Sequence, residues 1–195
     1  MSGSHSQPTR SGINYGGFTE MHYHEEMVKA ICESTSEVFT TMLGLEVSAG
    51  EPYLEANQAA ASEGVVALIG LAGNWVGTGA IYCNADCACV IASAMMQQEY
   101  TTINDEVLDT VAEVTNMVIG NVKTALEDVL GVLGLSVPTV IYGRNFMTRS
   151  VQKEEWTVVP FECGGHRVRV KMCLTPADQP QPVRHGFSQS LMLNP

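Results

Sequence analysis

Positive charge is the scarcest property of this chain. Ten lysines and arginines stand against 21 aspartates and glutamates, a formal net charge of −11 over 195 residues. Nucleic acid is bound through clustered Lys and Arg that neutralise phosphates, so a nucleic-acid partner is excluded. The same shortage argues against an anionic membrane surface. Charge of either sign is sparse, at 16% of residues, where a soluble domain ordinarily carries roughly 25%. Long apolar runs are missing too. None reaches the ~18 residues of a membrane span, and Met1-Ser2-Gly3-Ser4-His5 opens no signal peptide. The expectation is a soluble cytoplasmic protein of one domain with tails, long enough to bury a real core.

Paired metal ligands and phosphate loops are also lacking. The cysteines are Cys32, Cys83, Cys87, Cys89, Cys163 and Cys173, and only Cys83 with Cys87-Ala88-Cys89 forms a cluster. A zinc site wants two separated pairs of Cys or His. Buried, reduced thiols acting as small hydrophobes are therefore expected, with metal binding as the alternative. Gly70-Leu71-Ala72-Gly73 and Gly77-Thr78-Gly79 lack the Lys-Ser/Thr of a phosphate loop and flank a hairpin instead of opening a helix. Met21-His22-Tyr23-His24-Glu25-Glu26 holds ligand-type residues but reads as an exposed lead-in to a helix. Arg167, Arg169 and Lys171 alternate with Val168, Val170 and Met172. This is the pattern of a half-buried strand whose charged face serves solvation or edge protection.

What is present is clear periodicity. Glu25 to Leu43 reads as a helix with Met27, Ile31, Val38 and Met42 on its apolar stripe, ending at Gly44. Gly64–Leu71 and Gly77–Tyr82 read as strands around a turn at 72–75. Asn84 or Asp86 caps a short helix through Met96, and Asn104-Asp105-Glu106 opens a long one to about Leu130. Val137–Tyr142 is a strand, and Glu155–Cys163 pairs with His166–Leu174 across Gly164-Gly165. Leu43-Gly44-Leu45-Glu46-Val47 is echoed by Leu133-Gly134-Leu135-Ser136-Val137. The expected fold is α+β: a mixed, mostly antiparallel sheet with helices packed on one face and pseudo-repeated halves. The expected organisation is a loose segment over 1–20, a domain over 21–175 and a proline-containing tail over 176–195.

The long helix is the informative element. At about 100° per residue, Val107, Val111, Val114, Val118, Val122, Ala125 and Val129 share one face, which must be buried. Asp109, Glu113, Asn116, Gly120, Lys123 and Glu127 lie opposite. A polar outer face is ordinarily a solvated surface. Asn116 and Gly120, however, are poor helix residues, glycine costing about 1 kcal/mol relative to alanine. Their pairing where nothing inside demands them points to an outside partner that approaches closely. Glu113 and Asn116, three apart, project side by side. A carboxamide has no useful pKa, but it can orient a water by donating and accepting hydrogen bonds. Phosphoryl hydrolysis needs that service, because its catalysis is largely positioning an in-line water and neutralising charge. Glu113 would hold a cationic group of the substrate or partner.

At these residues the sequence resembles the CheC/CheX/FliY family of response-regulator phosphatases, and most closely its CheX members. The family pattern of Glu-x-x-Asn followed by Gly-Asn reads here as Asp109-Thr110-Val111-Ala112-Glu113-Val114-Thr115-Asn116-Met117-Val118-Ile119-Gly120-Asn121, with Pro138 downstream. Glu37 to Val47 and the glycine-punctuated strands 69–73 and 77–81 are also similar. The resemblance implies a cytoplasmic hydrolase of two-component chemotaxis signalling that dephosphorylates the aspartyl-phosphate of a CheY-like receiver domain. It gives Asn116 the attacking water and Glu113 the receiver's active-site lysine, with Asp109, Gly120 and Lys123 contacting the partner. The phosphoryl group and its Mg²⁺ would belong to the receiver, with none bound by this chain. The first helix offers Glu33-Ser34-Thr35-Ser36 without an Asn, so one site per chain is expected, in a homodimer with exchanged strands. Two readings compete: a receiver-binding module without catalysis, and a structural oligomer.

Overall fold

The structure, a computed structural model, describes residues 20–56, 61–147 and 155–177. The two expected tails lie almost wholly outside these residues; Glu20 opens the first helix and Pro176 closes the last strand. In chain order come α1 (Glu20–Leu43), β1 (Val47–Ala49), β2 (Tyr53–Ala56), β3 (Ala61–Gly73), β4 (Trp75–Cys83), α2 (Ala85–Met96), α3 (Asp105–Leu130), β5 (Leu133–Leu135), β6 (Thr139–Met147), β7 (Glu155–Cys163) and β8 (His166–Pro176).

Local chemistry accounts for the helix limits. Asn104 is extended (φ −140°, ψ −179°) and its Oδ1 accepts the Val107 amide at 2.9 Å; Asp105 and Glu106 complete a negative first turn. Of the two caps proposed for α2, Asn84 is the one used, accepting the Cys87 amide at 2.8 Å. Gly44 takes a left-handed φ of 64° after α1, and the Leu45 amide reaches back to the Phe39 carbonyl at 2.9 Å.

Among the described residues, eight strands form one sheet of order β1-β7-β8-β4-β3-β5, with β2 also on β7 and β6 also on β3. Every pairing among the described residues is antiparallel. Exchanging β1–β4 with β5–β8 turns this order into its own reverse, so the halves are related as repeats. The helices carry the repeat as well. The buried positions Met27, Ala30, Ile31, Ser34, Thr35, Val38 and Phe39 recur at a constant offset of 80 as Val107, Thr110, Val111, Val114, Thr115, Val118 and Ile119. The five-residue echo does not superimpose in this way. Leu43 still belongs to α1, whereas Leu133-Gly134-Leu135 is already β5.

The three helices pack on one sheet face, where Ile69, Ile81, Phe161, Val170 and Met172 meet Ile31, Phe39, Ile91, Val111 and Val118. Each such side chain contributes about 1.5–3 kcal/mol of gross burial. At Gly79 an added Cβ would lie 2.8 Å from Ile119 side-chain atoms, so this glycine lets α3 settle directly on β4. Two stripe assignments shift. Met42 is 55% exposed, with Phe39 and Leu43 buried instead. At the end of α3, Leu126 and Leu130 are buried while Ala125 and Val129 face outward. The helix buries a side chain every fourth residue there, and its apolar stripe drifts around the axis.

The charged strand is not an edge. β8 lies between β7 and β4, so edge protection is ruled out for Arg167, Arg169 and Lys171. They stand on the sheet face away from the helices. Lys171 is buried, ion-paired with Glu55, with its ammonium 4.7 Å from the Tyr82 ring centroid; the Arg169 guanidinium is 5.3 Å from the same ring. Nor are residues 23 and 24 an exposed lead-in: α1 begins at Glu20, before the expected start at Glu25, and both are half-buried within it. Tyr23 stacks on Trp75 with centroids 5.1 Å apart, and His24 Nδ1 shares a 2.9 Å hydrogen bond with Thr157 Oγ1. All six cysteines are free thiols, five buried and Cys32 half-buried. A hydrogen bond between Cys83 and Cys87, with burial, pushes the Cys83 thiol well up, and the same bond lowers Cys87.

Candidate functional site

The polar stripe of α3 lies where the helical period puts it. Asp109 and Glu113 are exposed, and Asn116, Gly120, Lys123 and Glu127 are half-buried. The opposite face is held down by Val107, Val111, Val114, Val118 and Val122, so the stripe has a fixed direction on a rigid element. Among the described residues, neither the Glu113 carboxylate nor the Asn116 carboxamide has a hydrogen-bond or ion-pair partner. A half-buried carboxamide with its donors and acceptor free is available to an outside group.

Gly120 is open on the outside. An added Cβ would meet only Leu135 Cδ1, at 3.8 Å, an ordinary contact. Nothing inside the protein demands glycine here. The lower end of the stripe is differently employed. Lys123 bridges to Glu127 at 2.9 Å, and Glu127 also accepts the Leu133 amide at 3.0 Å. The Leu133 amide first, and then the Lys123 ammonium, hold the Glu127 carboxyl below the usual carboxylate range. Glu127 thus ties α3 to β5, and Lys123 is committed to it. On the other flank, Asn121 Nδ2 donates to Glu37 of α1 at 3.5 Å. By the offset of 80, Ser36 of α1 occupies the place that Asn116 has on α3. The strand β5 is the neighbour that sequence reasoning missed, because three residues are too short to show a period.

Residues 65–162 match the family described as chemotaxis phosphatase CheX. The chain belongs to the CheX family. It is 27% identical over 125 residues to the CheY-P phosphatase CheX of Thermotoga maritima, covering 64% of this chain and 80% of that protein. Among solved structures, the CheX of Desulfovibrio desulfuricans is 29% identical with a TM-score of 0.70, over 77% of this chain and 99% of that one. A chain of the CheX–CheY–BeF₃–Mg²⁺ complex from Borrelia burgdorferi is 28% identical with a TM-score of 0.65, over 76% and 97%.

A groove of about 630 Å³ is lined by Tyr82, Pro160, Arg167 and Arg169, which stand on the sheet face away from the helices, with Glu51 and Glu63 at its rim. Among the described residues no three His, Cys, Asp or Glu side chains are grouped to hold a metal ion, and no helix is long and apolar enough to cross a membrane.

Proposed function

We propose that this protein hydrolyses the aspartyl-phosphate of a phosphorylated CheY-like receiver domain in the cytoplasm, with residues 21–175 as the working domain. The observation that carries the reading is the free, half-buried Asn116 carboxamide beside the free Glu113 carboxylate on one rigid helix face. Asn116 would enter the receiver's site, accept a hydrogen bond from a water and hold it in line with the phosphorus. Glu113 would pair with the receiver's active-site lysine and fix the register. Gly120 admits the partner's backbone close to the helix, while Asp109 and Lys123 border the contact. The phosphoryl group and its Mg²⁺ come with the receiver, in keeping with the BeF₃ and Mg²⁺ of the Borrelia complex. A homodimer is part of the same reading, to be checked by light scattering.

The test is phosphate release from candidate phosphorylated receivers in the presence of Mg²⁺. The wild type should accelerate release. Asn116→Ala should return it to the receiver's own rate while still binding the receiver, and Glu113→Ala should weaken both. Binding without acceleration by the wild type would leave a docking module without catalysis. Neither binding nor acceleration would leave a structural role.

A further inference from the structure

We propose that Val137 is a docking residue of the same site, an apolar contact that sets affinity for the receiver without taking part in the chemistry. This rests on the reading just given. The path to it starts at β5, which runs along the polar stripe of α3. Leu133 is bonded at its amide to Glu127, and Leu135 lies against Gly120. The strand therefore climbs the helix in the opposite sense. Ser136 and Val137 follow β5, and two residues of extended chain advance at most about 6.6 Å, the rise of about four helix residues. We infer from this that Val137 reaches toward the turn that carries Asn116.

The pairing of this edge explains why Val137 is turned outward. Leu135 pairs with Leu71, and the Ser136 amide donates to the Gly70 carbonyl at 2.9 Å; pairing then resumes at Thr139 opposite Leu68. Ile69 is left opposite two residues, Val137 and Pro138. One extra residue on an edge strand is a bulge, a device that re-aims a side chain, and Pro138 is suited to it because a bulge spares its missing N–H. Ile69 is fully buried on the helix side of the sheet, yet Val137 is 85% exposed.

The exposed valine is nevertheless held in place. The Gly70 amide donates to Ser136 Oγ at 2.9 Å, and that hydroxyl donates to the Val137 carbonyl at 2.9 Å. An exposed valine whose backbone is already clamped loses little entropy when a partner covers it. Val132 supplies an internal control. It is 78% exposed, but it lies beyond Glu127, about 16 Å down the helix from Asn116.

The experiment is steady-state phosphate release against receiver concentration, using the full chain with Val137→Ser, Val137→Asp and Val132→Asp. KM should rise several-fold for Val137→Ser and tenfold or more for Val137→Asp, with kcat within twofold of wild type. Val132→Asp should behave as wild type, and all three should keep the wild-type melting profile. An unchanged KM for both Val137 variants overturns the proposal, as does a loss confined to kcat or an equal loss in Val132→Asp. So does a change of oligomeric state by light scattering, which would make the valine a contact between copies. If the wild type releases no phosphate, the reading of the site fails first and takes this inference with it. If the wild type is active and the Val137 variants match it, this inference alone falls.

Discussion

Replacing Gly120 by alanine separates what the helix wants from what its partner wants. On the inside, the new methyl would meet only Leu135 Cδ1, at 3.8 Å, so no neighbour has to move. Alanine is favoured over glycine in a helix interior by about 0.8–1.0 kcal/mol. The variant should therefore be more stable than the wild type by about 1 kcal/mol. For a chain of this size that is a rise in melting temperature of roughly 2–4 °C. On the outside, the same methyl occupies the space a receiver would use next to Asn116. The efficiency of phosphate release should fall about tenfold, the equivalent of roughly 1.4 kcal/mol. Thermal denaturation and phosphate release on the same preparation test both signs together. A destabilised variant would mean that the interior requires the glycine. A stabilised variant with full activity would mean that nothing outside does.

Two further predictions address the scaffold. Glu55→Ala leaves the Lys171 ammonium buried without its carboxylate, and urea unfolding should register a loss of about 3 kcal/mol; Lys171→Met, which removes the buried charge instead, should cost less than about 1 kcal/mol. A reversed order would refute the view that burial of the cation governs this pair. The Glu127 carboxyl is held below its ordinary range in the folded protein, so its contribution is present above the unfolded pKa and is lost as pH falls through the folded one. Stability measured between neutral and acid pH should accordingly fall less steeply for Glu127→Gln than for the wild type; parallel curves would show that the Leu133 and Lys123 contacts add nothing.

Most helix limits were readable because capping is local: Asn104 bonds an amide three residues away, and Gly44 needs only its own dihedral freedom; α1, which starts at Glu20 and not at Glu25, is the exception. The Glu113–Asn116 pair was readable for a related reason, since neighbours on one helix face follow from the period alone. Errors appeared where a decision depended on distant chain. Alternation in 166–172 predicted a half-buried strand, but only the sheet order made β8 central and put Lys171 under Glu55 and Tyr82. The drift of the α3 stripe from Ala125 and Val129 to Leu126 and Leu130 reflects what lies beneath the last turns.

By itself, then, the sequence determined the helices, most of the strands and the two residues that the proposed chemistry needs, because each depends on periodicity or on contacts within a few residues. It also carried enough of the CheX pattern for the family to be legible. Tertiary structure decided the rest. Strand order, the interlocking of the two halves and the passage of β5 along α3 join segments far apart in the chain, and no local period encodes them. That packing leaves Asn116 unpaired, commits Lys123 to Glu127 and bulges the sheet edge at Val137. The residues at the site were visible in one dimension, whereas the surface they share exists only in three.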